Sequence, residues 1–531
     1  LSDCPLFDST FVGHDRYLVV LTPTLCTSTM TGHSSSPPLC STGIQGLDDV
    51  LGGGLPAHRT YLIEGNPGAG KTTLAMQFLL AGADRSEKCV YVTLSETRSE
   101  LDASAASHGW SLEKIRIVEL TASEDELRSE NQLAMFQPSE LELGSTLEAI
   151  LKVVEELGPT RVVIDSLSEF RLLAQSSLRY RRQILALKQF FAGRKCTVLF
   201  LDDRTADGSD LQLQSIAHGV LMLEQMAPEY GGERRRLRMA KLRGRSYRAG
   251  FHDYIIEHGG LTVFPALVAA EHSSRSSPGR LESGIDELDQ LVGGGFDYGT
   301  SVLVAGPAGS GKSTLTLQYL AAAAARGERS LVLMFDEREE TLLTRADGVS
   351  INVRPFVERS LVTLKQVDPA QLSPGQLGQL IRSAVEGTDG GPPARVVVVD
   401  SLNGYLHAMP EERFLAIQLH ELLTYLGRRG VVTFLVLAQH GLIGAMQSPV
   451  DATYVADSVI LLRYFEAFGE VRQAISVVKK RSGRHERTIR EFRIDSRGLR
   501  VGEALRSFHG VLTGTPSFLG DGAPLMERRQ E

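Results

Sequence analysis

The amino-acid sequence predicts an α/β protein of two tandem domains, each a doubly wound, mostly parallel sheet with a carboxyl-terminal β-hairpin. Apolar strand-like runs alternate with helical segments twice along the chain, as they do in parallel sheets that carry helices on both faces. A glycine-rich motif also occurs twice, at residues 65–72 and 306–313. The length of 531 residues exceeds what a single hydrophobic core organises.

The repeat extends beyond the glycine-rich motifs. Residues 43–54 and 284–295 share the pattern G-I-x-x-L-D-x-x-x-G-G-G, again 241 positions apart, whereas the apolar strands ending in Asp165 and Asp400 are 235 apart. We therefore interpret the chain as a duplicated domain with a small change in loop length. The predicted boundaries are a poorly ordered extension (1–38), a first domain (39–270), a Ser/Pro/Gly linker (271–280), a second domain (281–505) and an irregular tail (506–531).

Both motifs match G-x-x-x-x-G-K-[ST], each between a strand-like run and a helical pattern, which is the context of a phosphate-binding loop. Glycines let backbone N–H groups surround the phosphates of ATP, and the lysine reaches the terminal phosphate. The predicted ATP-binding residues are Gly65, Asn66, Pro67, Gly68, Ala69, Gly70, Lys71, Thr72 and Thr73 in the first copy, and Gly306, Pro307, Ala308, Gly309, Ser310, Gly311, Lys312, Ser313 and Thr314 in the second.

Composition limits the partners and the compartment. The net charge of −8 argues against a surface that holds nucleic acid by bulk electrostatics, so nucleic acid is not an expected partner. The five cysteines lack metal-ligand spacing and are typical of free thiols in a cytoplasmic protein. No apolar run approaches the roughly 20 residues that span a bilayer, so no membrane partner is expected.

Carboxylates follow the next strand of each copy, as Ser95-Glu96 in the first and Asp336-Glu337 in the second. A carboxylate at this edge can orient or deprotonate the water or hydroxyl that attacks the γ-phosphate. Our hypothesis assigns this catalytic role to Glu96, Asp336 and Glu337. The alternative is that they are ordinary surface residues.

Metal ligands are predicted from the phosphate motifs and from two very apolar strands. The hydroxyl groups of Thr72 and Ser313 are expected to bind Mg²⁺, and Asp165 and Asp400 to hold it through water. The alternative role of either aspartate is to cap the helix that follows.

In the second copy, the strand that follows the one ending in Asp400 ends in Gln439, whose side-chain amide could sense the γ-phosphate. Asp202 is taken to occupy the comparable place in the first copy. The two sites are therefore predicted to differ.

A basic strand closes each copy. Alternation along the strand predicts Lys241 and Arg243 on one face, with Lys479 and Arg481 likewise paired. Such side chains suit phosphate oxygens, so an edge strand of this kind can complete a neighbouring subunit's ATP site. The alternatives are solvated strand charges or a contact with nucleic acid.

In combination, these motifs resemble the double-domain members of the KaiC family within the RecA-like ATPases, over about residues 40–505. The resemblance implies a hexameric ring of identical subunits in two tiers, with ATP between subunits. It also implies that the two Lys–Arg pairs act on the ATP of a neighbour. In the clock protein of this family, the second domain phosphorylates a neighbouring Ser–Thr pair.

The sequence departs from that family pattern at three places. Ser95 stands where the paired glutamates of the first domain begin, and Asp336 replaces the leading glutamate of the second. Aligning residues 457–462 puts Thr453-Tyr454 at the phosphorylated pair, so one hydroxyl is retained and the other has become a tyrosine. Thr453 is the phosphosite candidate, whereas a circadian oscillator is not expected.

Three functions are consistent with these observations. The favoured one is a KaiC-like ATPase with serine/threonine autokinase activity, acting as a signalling switch on an unidentified protein partner. Another is a RecA-type DNA recombinase or ring helicase, although the acidic balance and the lack of an obvious DNA-binding module oppose it. The last is a structural ring that uses ATP mainly for assembly.

Overall fold

The computed structural model describes residues 38–120, 138–174, 176–204, 211–227, 231–271, 278–368, 370–407, 415–439, 454–512 and 516–518. The predicted amino-terminal extension therefore lies outside the described residues, apart from Pro38.

The first domain alternates strands and helices up to β8 and ends in antiparallel strands. Its elements are β1 (Leu39–Cys40), α1 (Gln45–Val50), β2 (Leu55–Pro56), β3 (Thr60–Gly65), α2 (Lys71–Ala83), β4 (Cys89–Thr93), α3 (Arg98–Ser107), β5 (Arg116–Glu119), α4 (Pro138–Leu157), β6 (Arg161–Asp165), α5 (Leu167–Ala174), α6 (Ser177–Ala192), β7 (Thr197–Asp203), α7 (Leu211–Ile216), β8 (Gly219–Met226), β9 (Arg234–Leu242), β10 (His252–Glu257) and β11 (Gly260–Phe264).

The second domain repeats this order with one additional short helix and two additional short strands at its end, and its described residues include no counterpart of α7. Its elements are β12 (Arg280–Leu281), α8 (Asp286–Leu291), β13 (Phe296–Asp297), β14 (Ser301–Gly306), α9 (Lys312–Ala325), β15 (Ser330–Met334), α10 (Glu339–Gly348), α11 (Arg354–Glu358), β16 (Val362–Gln366), α12 (Pro374–Glu386), β17 (Val396–Asp400), α13 (Leu402–His407), α14 (Leu415–Arg428), β18 (Val432–Ala438), β19 (Ser458–Ala467), β20 (Glu470–Lys480), β21 (Ile489–Asp495), β22 (Gly498–Ala504), β23 (Phe508–His509) and β24 (Ser517–Phe518).

Each domain is built on one nine-stranded sheet, which confirms the predicted fold class. The strand orders are β11-β10-β9-β8-β3-β7-β6-β4-β5 and β16-β15-β17-β18-β14-β19-β20-β21-β22. The strands from β8 to β5 in the first list are parallel, and those from β9 to β11 are antiparallel. The predicted closing hairpin (β8–β9; β19–β20) is thus present, and β10–β11 or β21–β22 continues it.

The central strands are buried because helices cover both faces of each sheet. Every residue of β3, β4 and β6 is buried. Alternation along β3 sends Tyr61 and Ile63 into one apolar cluster with Phe78, and Leu62 into another with Ile184. This packing fixes the carboxyl ends of the parallel strands at one edge, where the site lies.

The two domains meet through α12 of the second and the antiparallel strands of the first. The Gly375 N–H donates to Asp253 Oδ2 at 2.7 Å, and the Gly232 N–H donates to the Ala370 carbonyl at 3.1 Å. Burial raises the pKa of the Asp253 carboxyl, and its hydrogen bond from the first turn of α12 opposes that shift.

Parts of the predicted linker and tail are more regular than expected. β12 begins at Arg280, the last residue of the predicted linker. In the tail, β23 and β24 pair, and Phe508 and Phe518 contact Phe468 at the tip of β19–β20. Aromatic packing gives these short strands an apolar contact that glycine and proline content did not indicate. Within the described ranges, no helix has the length and apolar character to cross a membrane.

Candidate active sites

Both glycine-rich motifs form the turn between a buried strand and a helix, joining β3 to α2 and β14 to α9. Gly70 and Gly311 have φ values of 88° and 90°. A Cβ on Gly70 would lie 2.4 Å from Ile256 Cδ1, and one on Gly311 would lie 2.3 Å from Ile494 Cδ1. Glycine is therefore required by both backbone conformation and space, and the turn presents a helix amino-terminus suited to phosphate.

The lysines of the two motifs have different partners. Lys71 Nζ donates to the carbonyls of Gly65 at 2.9 Å and Asn66 at 3.1 Å, and forms a 2.7 Å ion pair with Asp203. Lys312 Nζ donates to the Pro307 carbonyl at 2.6 Å, and burial lowers its pKa to about 8. Asp203 lies opposite Gly65, the last residue of β3, and Ala438 lies opposite Gly306, the last residue of β14. Ala438 is therefore the counterpart of Asp203, and it cannot form an ion pair with Lys312.

The predicted metal ligands lie together in each domain. Thr72 Oγ1 donates to Asp165 Oδ2 at 3.0 Å, and the Tyr91 hydroxyl donates to the same oxygen at 2.5 Å. Burial raises the pKa of Asp165, and these two hydrogen bonds oppose the rise. Burial likewise raises the pKa of Asp400, and a hydrogen bond with Ser313 opposes it. A hydroxyl beside a carboxylate is the hard-oxygen set that Mg²⁺ takes together with nucleotide phosphates, so these residues fit the ion.

Glu96 is half-buried just beyond β4. Its backbone N–H donates to Thr93 Oγ1 at 3.0 Å, which fixes the turn that leads to it. Burial raises the pKa of its carboxyl, and the negative charges of Asp165 and Glu100 raise it further. The side chain therefore lies close enough to the predicted metal ligand to sense its charge.

The corresponding carboxylates of the second domain have partners of their own. Asp336 accepts a hydrogen bond from Ser401 Oγ at 2.5 Å, and Glu337 forms a 2.6 Å ion pair with Arg345 on α10. The residue 241 positions earlier than Arg345 is Ser104 on α3. At this position the first domain therefore has a serine in place of the arginine that faces Glu337.

The predicted correspondence between Gln439 and Asp202 is wrong. The Gln439 N–H donates to the Gly306 carbonyl, and its structural counterpart is Arg204, whose N–H donates to the Gly65 carbonyl. Asp202 lies two residues earlier, buried in β7, where it forms a 2.6 Å ion pair with Arg171. Sheet register decides the correspondence, and the apolar run of β7 did not reveal it.

The predicted Lys–Arg pair of the first domain reaches one segment, the carboxyl end of α7. Lys241 Nζ donates to the carbonyls of Gln214 at 2.5 Å and Ala217 at 2.9 Å, and Arg243 Nη2 donates to that of Ser215 at 2.7 Å. Both side chains therefore lie on the same side of the sheet, as alternation predicts.

The second Lys–Arg pair has the same arrangement. Lys479 Nζ donates to the Ala456 carbonyl at 2.7 Å, and Arg481 Nη2 donates to that of Tyr454 at 2.9 Å. The phosphosite candidate Thr453, one residue earlier, lies outside the described residues.

Comparison with known families agrees with this duplicated geometry. The family model described as "ATPase: KaiC" matches residues 40–268 and again 281–506. The chain belongs to the KaiC family of ATPases. Its two copies are therefore nucleotide-binding ATPase domains, which confirms the resemblance carried by the motifs.

Individual KaiC proteins match at a similar level over nearly the whole chain. The circadian clock protein KaiC3 of Synechocystis sp. is 28% identical over 490 residues, covering 90% of this chain and 94% of that protein. The circadian clock oscillator protein KaiC of Synechococcus elongatus is 28% identical over 489 residues, covering 90% and 91%. That of Parathermosynechococcus lividus is 27% identical over 493 residues, covering 90% and 88%.

Two residues of these KaiC sites were not found by sequence analysis. Asp203 was overlooked as the second of two aspartates at a strand end, and Arg345 as one charge on a polar helix. Comparing the copies position by position would have revealed both, because their counterparts are Ala438 and Ser104. Their side-chain contacts appear only in the folded chain.

The Lys71–Asp203 ion pair predicts weaker ATP binding by the first domain than the same loop would give without Asp203. The reason is that the ion pair must break before Lys71 can reach a phosphate. In protein whose second loop is inactivated by Lys312→Ala, Asp203→Ala raises the affinity for a fluorescent ATP analogue about fivefold. This factor corresponds to the loss of an ion pair of about 1 kcal/mol. The reciprocal Ala438→Asp, measured with Lys71→Ala, weakens binding to the second domain.

The matched control is Asp102→Ala, which removes an exposed carboxylate that pairs with Arg98 away from the loop. It leaves affinity unchanged. Equal affinities for Asp203→Ala and the parent protein would show that the ion pair does not compete with nucleotide.

Proposed function

We propose that this protein is an ATP-hydrolysing switch that assembles through nucleotide into a hexameric ring, where each Lys–Arg pair completes the ATP site of a neighbouring copy. The observation that carries the proposal is the placement of each pair at the end of the sheet opposite its own phosphate loop. Identical subunits joined head to tail in a closed ring bring those two ends together.

The placement follows from strand register. The Arg243 N–H donates to the His218 carbonyl, and the His218 N–H donates to the carbonyl of Thr60, the first residue of β3. The phosphate loop begins at Gly65, five residues further along, which is about 16 Å in an extended strand. Lys480 pairs with Ser458, which pairs with Val302 near the start of β14, so the second pair has the same place.

Within each site, we assign activation of the attacking water or hydroxyl to Glu96 and to Glu337 with Asp336. Mg²⁺ would be held by Thr72 and Asp165, or by Ser313 and Asp400, and it would neutralise charge on the phosphates. Lys71 and Lys312 would bind the terminal phosphate. The Lys–Arg pair arriving from the neighbour would stabilise the negative charge that develops during transfer, as cations at such sites do.

The asymmetry of the two sites supports a division of labour. Lys71 is engaged by Asp203 and must leave it to reach a phosphate, which favours slow turnover and a main role in assembly for the first domain. Glu337 has a second carboxylate, Asp336, beside it, and on this ground we assign phosphoryl transfer to the second domain. The relatives' names describe clock proteins; for this chain we propose a switch read by a protein partner, without a clock.

Completion of the site by a neighbour predicts complementation between two inactive variants. Lys71→Ala with Lys312→Ala removes the loops, and alanine at all four Lys–Arg positions removes the pairs. Each variant alone hydrolyses little ATP, whereas an equal mixture recovers roughly a quarter of the parent rate, because random rings join intact loops to intact pairs at that frequency.

Native mass measured with and without ATP accompanies the rates, and Lys114→Ala, an exposed cation paired with Asp84, is the control that changes neither. Absence of recovery in the mixture, or a monomer that hydrolyses ATP normally, would contradict the proposal.

The pKa of Glu96 predicts the pH dependence of the first domain. In Lys312→Ala protein, Glu96→Gln lowers hydrolysis by roughly a hundredfold or more, the usual effect of losing a general base. Because burial and Asp165 raise the Glu96 pKa, hydrolysis falls off at a higher pH than an ordinary glutamate would give. Ser104→Arg places a cation near Glu96, as Arg345 does near Glu337, and so lowers the pKa of Glu96. The fall in hydrolysis on the acid side of the pH profile, the acid limb, therefore moves to lower pH.

Ser104→Gln, a long uncharged side chain at the same position, leaves the limb in place. A limb that moves equally with Ser104→Gln, or that persists in Glu96→Gln, would assign the titration to another group.

We also propose phosphorylation at Thr453, which directly precedes Tyr454 in the sequence; Arg481 Nη2 donates to the Tyr454 carbonyl. ATP held by the neighbour's loop would present its γ-phosphorus there. The Thr453 hydroxyl oxygen would bond to that phosphorus as the bond to ADP breaks, and the neighbour's Glu337 copy would take the proton. A phosphate on Thr453 would add a charge of about −1.5 to −2.

Incubation with labelled ATP is therefore expected to label the peptide around residues 445–463, with loss of label in Thr453→Ala and Glu337→Gln. Tyr454→Phe retains the label because only the neighbouring hydroxyl is removed. Normal hydrolysis without label in this peptide would leave an ATPase switch that lacks autokinase activity.

A further inference from the structure

A small basic cavity lies in the first domain, at the end of the sheet opposite the phosphate loop. Its volume is about 60 Å³, and the ionisable nitrogen groups that line it belong to His58, Arg59, Lys188, His218 and Arg243. The remaining wall is largely apolar and includes Phe191 and Cys196. We call it the basic cavity.

Four separate elements build the basic cavity. His58 and Arg59 precede β3, Lys188 lies on α6, His218 precedes β8, and Arg243 follows β9. The carboxyl end of α7 anchors two of the long side chains, because Lys188 Nζ donates to the Ile216 carbonyl at 2.7 Å and Arg243 Nη2 to that of Ser215. The cations are therefore held in place.

The histidines of the basic cavity have unused ring nitrogens. His58 Nδ1 and His218 Nε2 are buried, and neither has a hydrogen-bond partner among the described residues. Edge-to-face contact of the His218 ring with Tyr61, at 5.9 Å between centroids, holds that ring in the wall. Both nitrogens can donate to an acceptor when protonated.

The charges of the basic cavity repel one another. Burial lowers the pKa of His218, the positive charges of Arg59, Arg243 and Lys188 lower it further, and a hydrogen bond with the Arg243 backbone opposes the shift. Burial lowers the pKa of Lys188, and the charge of Arg243 lowers it further. Burial also lowers the pKa of Lys241, and the charges of Arg243 and Lys188 lower it further. No carboxylate in the described part of the chain forms an ion pair with Arg59, Lys188 or Arg243. An anion would relieve this repulsion.

The second domain shows that the fold does not require these cations. The counterparts of His58, Arg59, Lys188 and His218 are, in that order, Gly299, Thr300, Leu423 and Asp457. Asp457 accepts hydrogen bonds from Ser301 and forms a 3.4 Å ion pair with Arg481. The second domain thus places a carboxylate of its own beside the arginine, where the first domain has an imidazole.

We propose that the basic cavity is a binding site for a phosphate-type oxyanion. A space of this size admits a small tetrahedral anion and is too small for a nucleotide. Arginine, lysine and imidazolium N–H groups surround it, and charge-assisted hydrogen bonds of that kind are the strong ones. The anion is either free inorganic phosphate or the terminal phosphate of a nucleotide held by another copy, and both have the same chemistry.

Calorimetric titration of the nucleotide-free full chain with inorganic phosphate, at constant ionic strength against chloride, tests the site. One phosphate binds per chain. His218→Asp and Lys188→Leu, the residues of the second domain, each weaken binding at least about tenfold, as expected for a lost charged hydrogen bond.

Two variants distinguish this site from others. Lys114→Ala, an exposed cation elsewhere in the first domain, retains phosphate binding. Lys71→Ala with Lys312→Ala, which disables both loops, also retains it. Loss of binding in the loop variant would place the phosphate in the loops and overturn the proposal, as would equal affinity in His218→Asp, Lys188→Leu and the parent protein.

Repeating the titration with a non-hydrolysable ATP analogue identifies the source of the anion. Unchanged phosphate binding indicates a site for free phosphate. Competition that disappears in the loop variant indicates the terminal phosphate of another copy's nucleotide. Failure of ring assembly would leave the first result intact, so this proposal and the proposed function are tested separately.

Discussion

The hydrogen bonds that Asp165 accepts from Thr72 and Tyr91 hold the first site together, since they join the phosphate loop to two neighbouring strands. They are possible because β3, β4 and β6 run parallel and end at one edge of the sheet. A buried carboxylate is costly unless it is hydrogen-bonded, so the surrounding hydroxyl groups are a condition of its position. Nucleotide binding and the proposed chemistry depend on this edge.

The second domain keeps that edge and changes the charges around it. Asp203 is replaced by Ala438, Ser104 by Arg345 and His218 by Asp457, all at positions close to proposed binding groups. None of these changes alters the strand order. Duplication has therefore preserved the framework while the ion pairs have diverged, which is the physical basis for assigning different roles to the two ATP sites.

The antiparallel strands of the first domain contact the second domain, and in the proposed ring they would also contact other copies. They carry the Lys–Arg pairs to the end of the sheet away from the phosphate loop, and they also supply Asp253 to the contact with α12. The basic cavity adds a cationic surface at this end of the first domain, where a phosphate would act on Arg243 directly.

The sequence by itself determined the duplicated α/β fold and both nucleotide-binding loops, and it supplied the hypotheses for the metal ligands and the two Lys–Arg pairs, because each depends on a local motif or on strand alternation. Tertiary structure decided the Lys71–Asp203 and Glu337–Arg345 ion pairs, the match of Gln439 with Arg204, and the basic cavity. These depend on sheet register and on contacts between distant segments, such as residues 58, 188 and 243. Local patterns carry no information about which distant side chains meet.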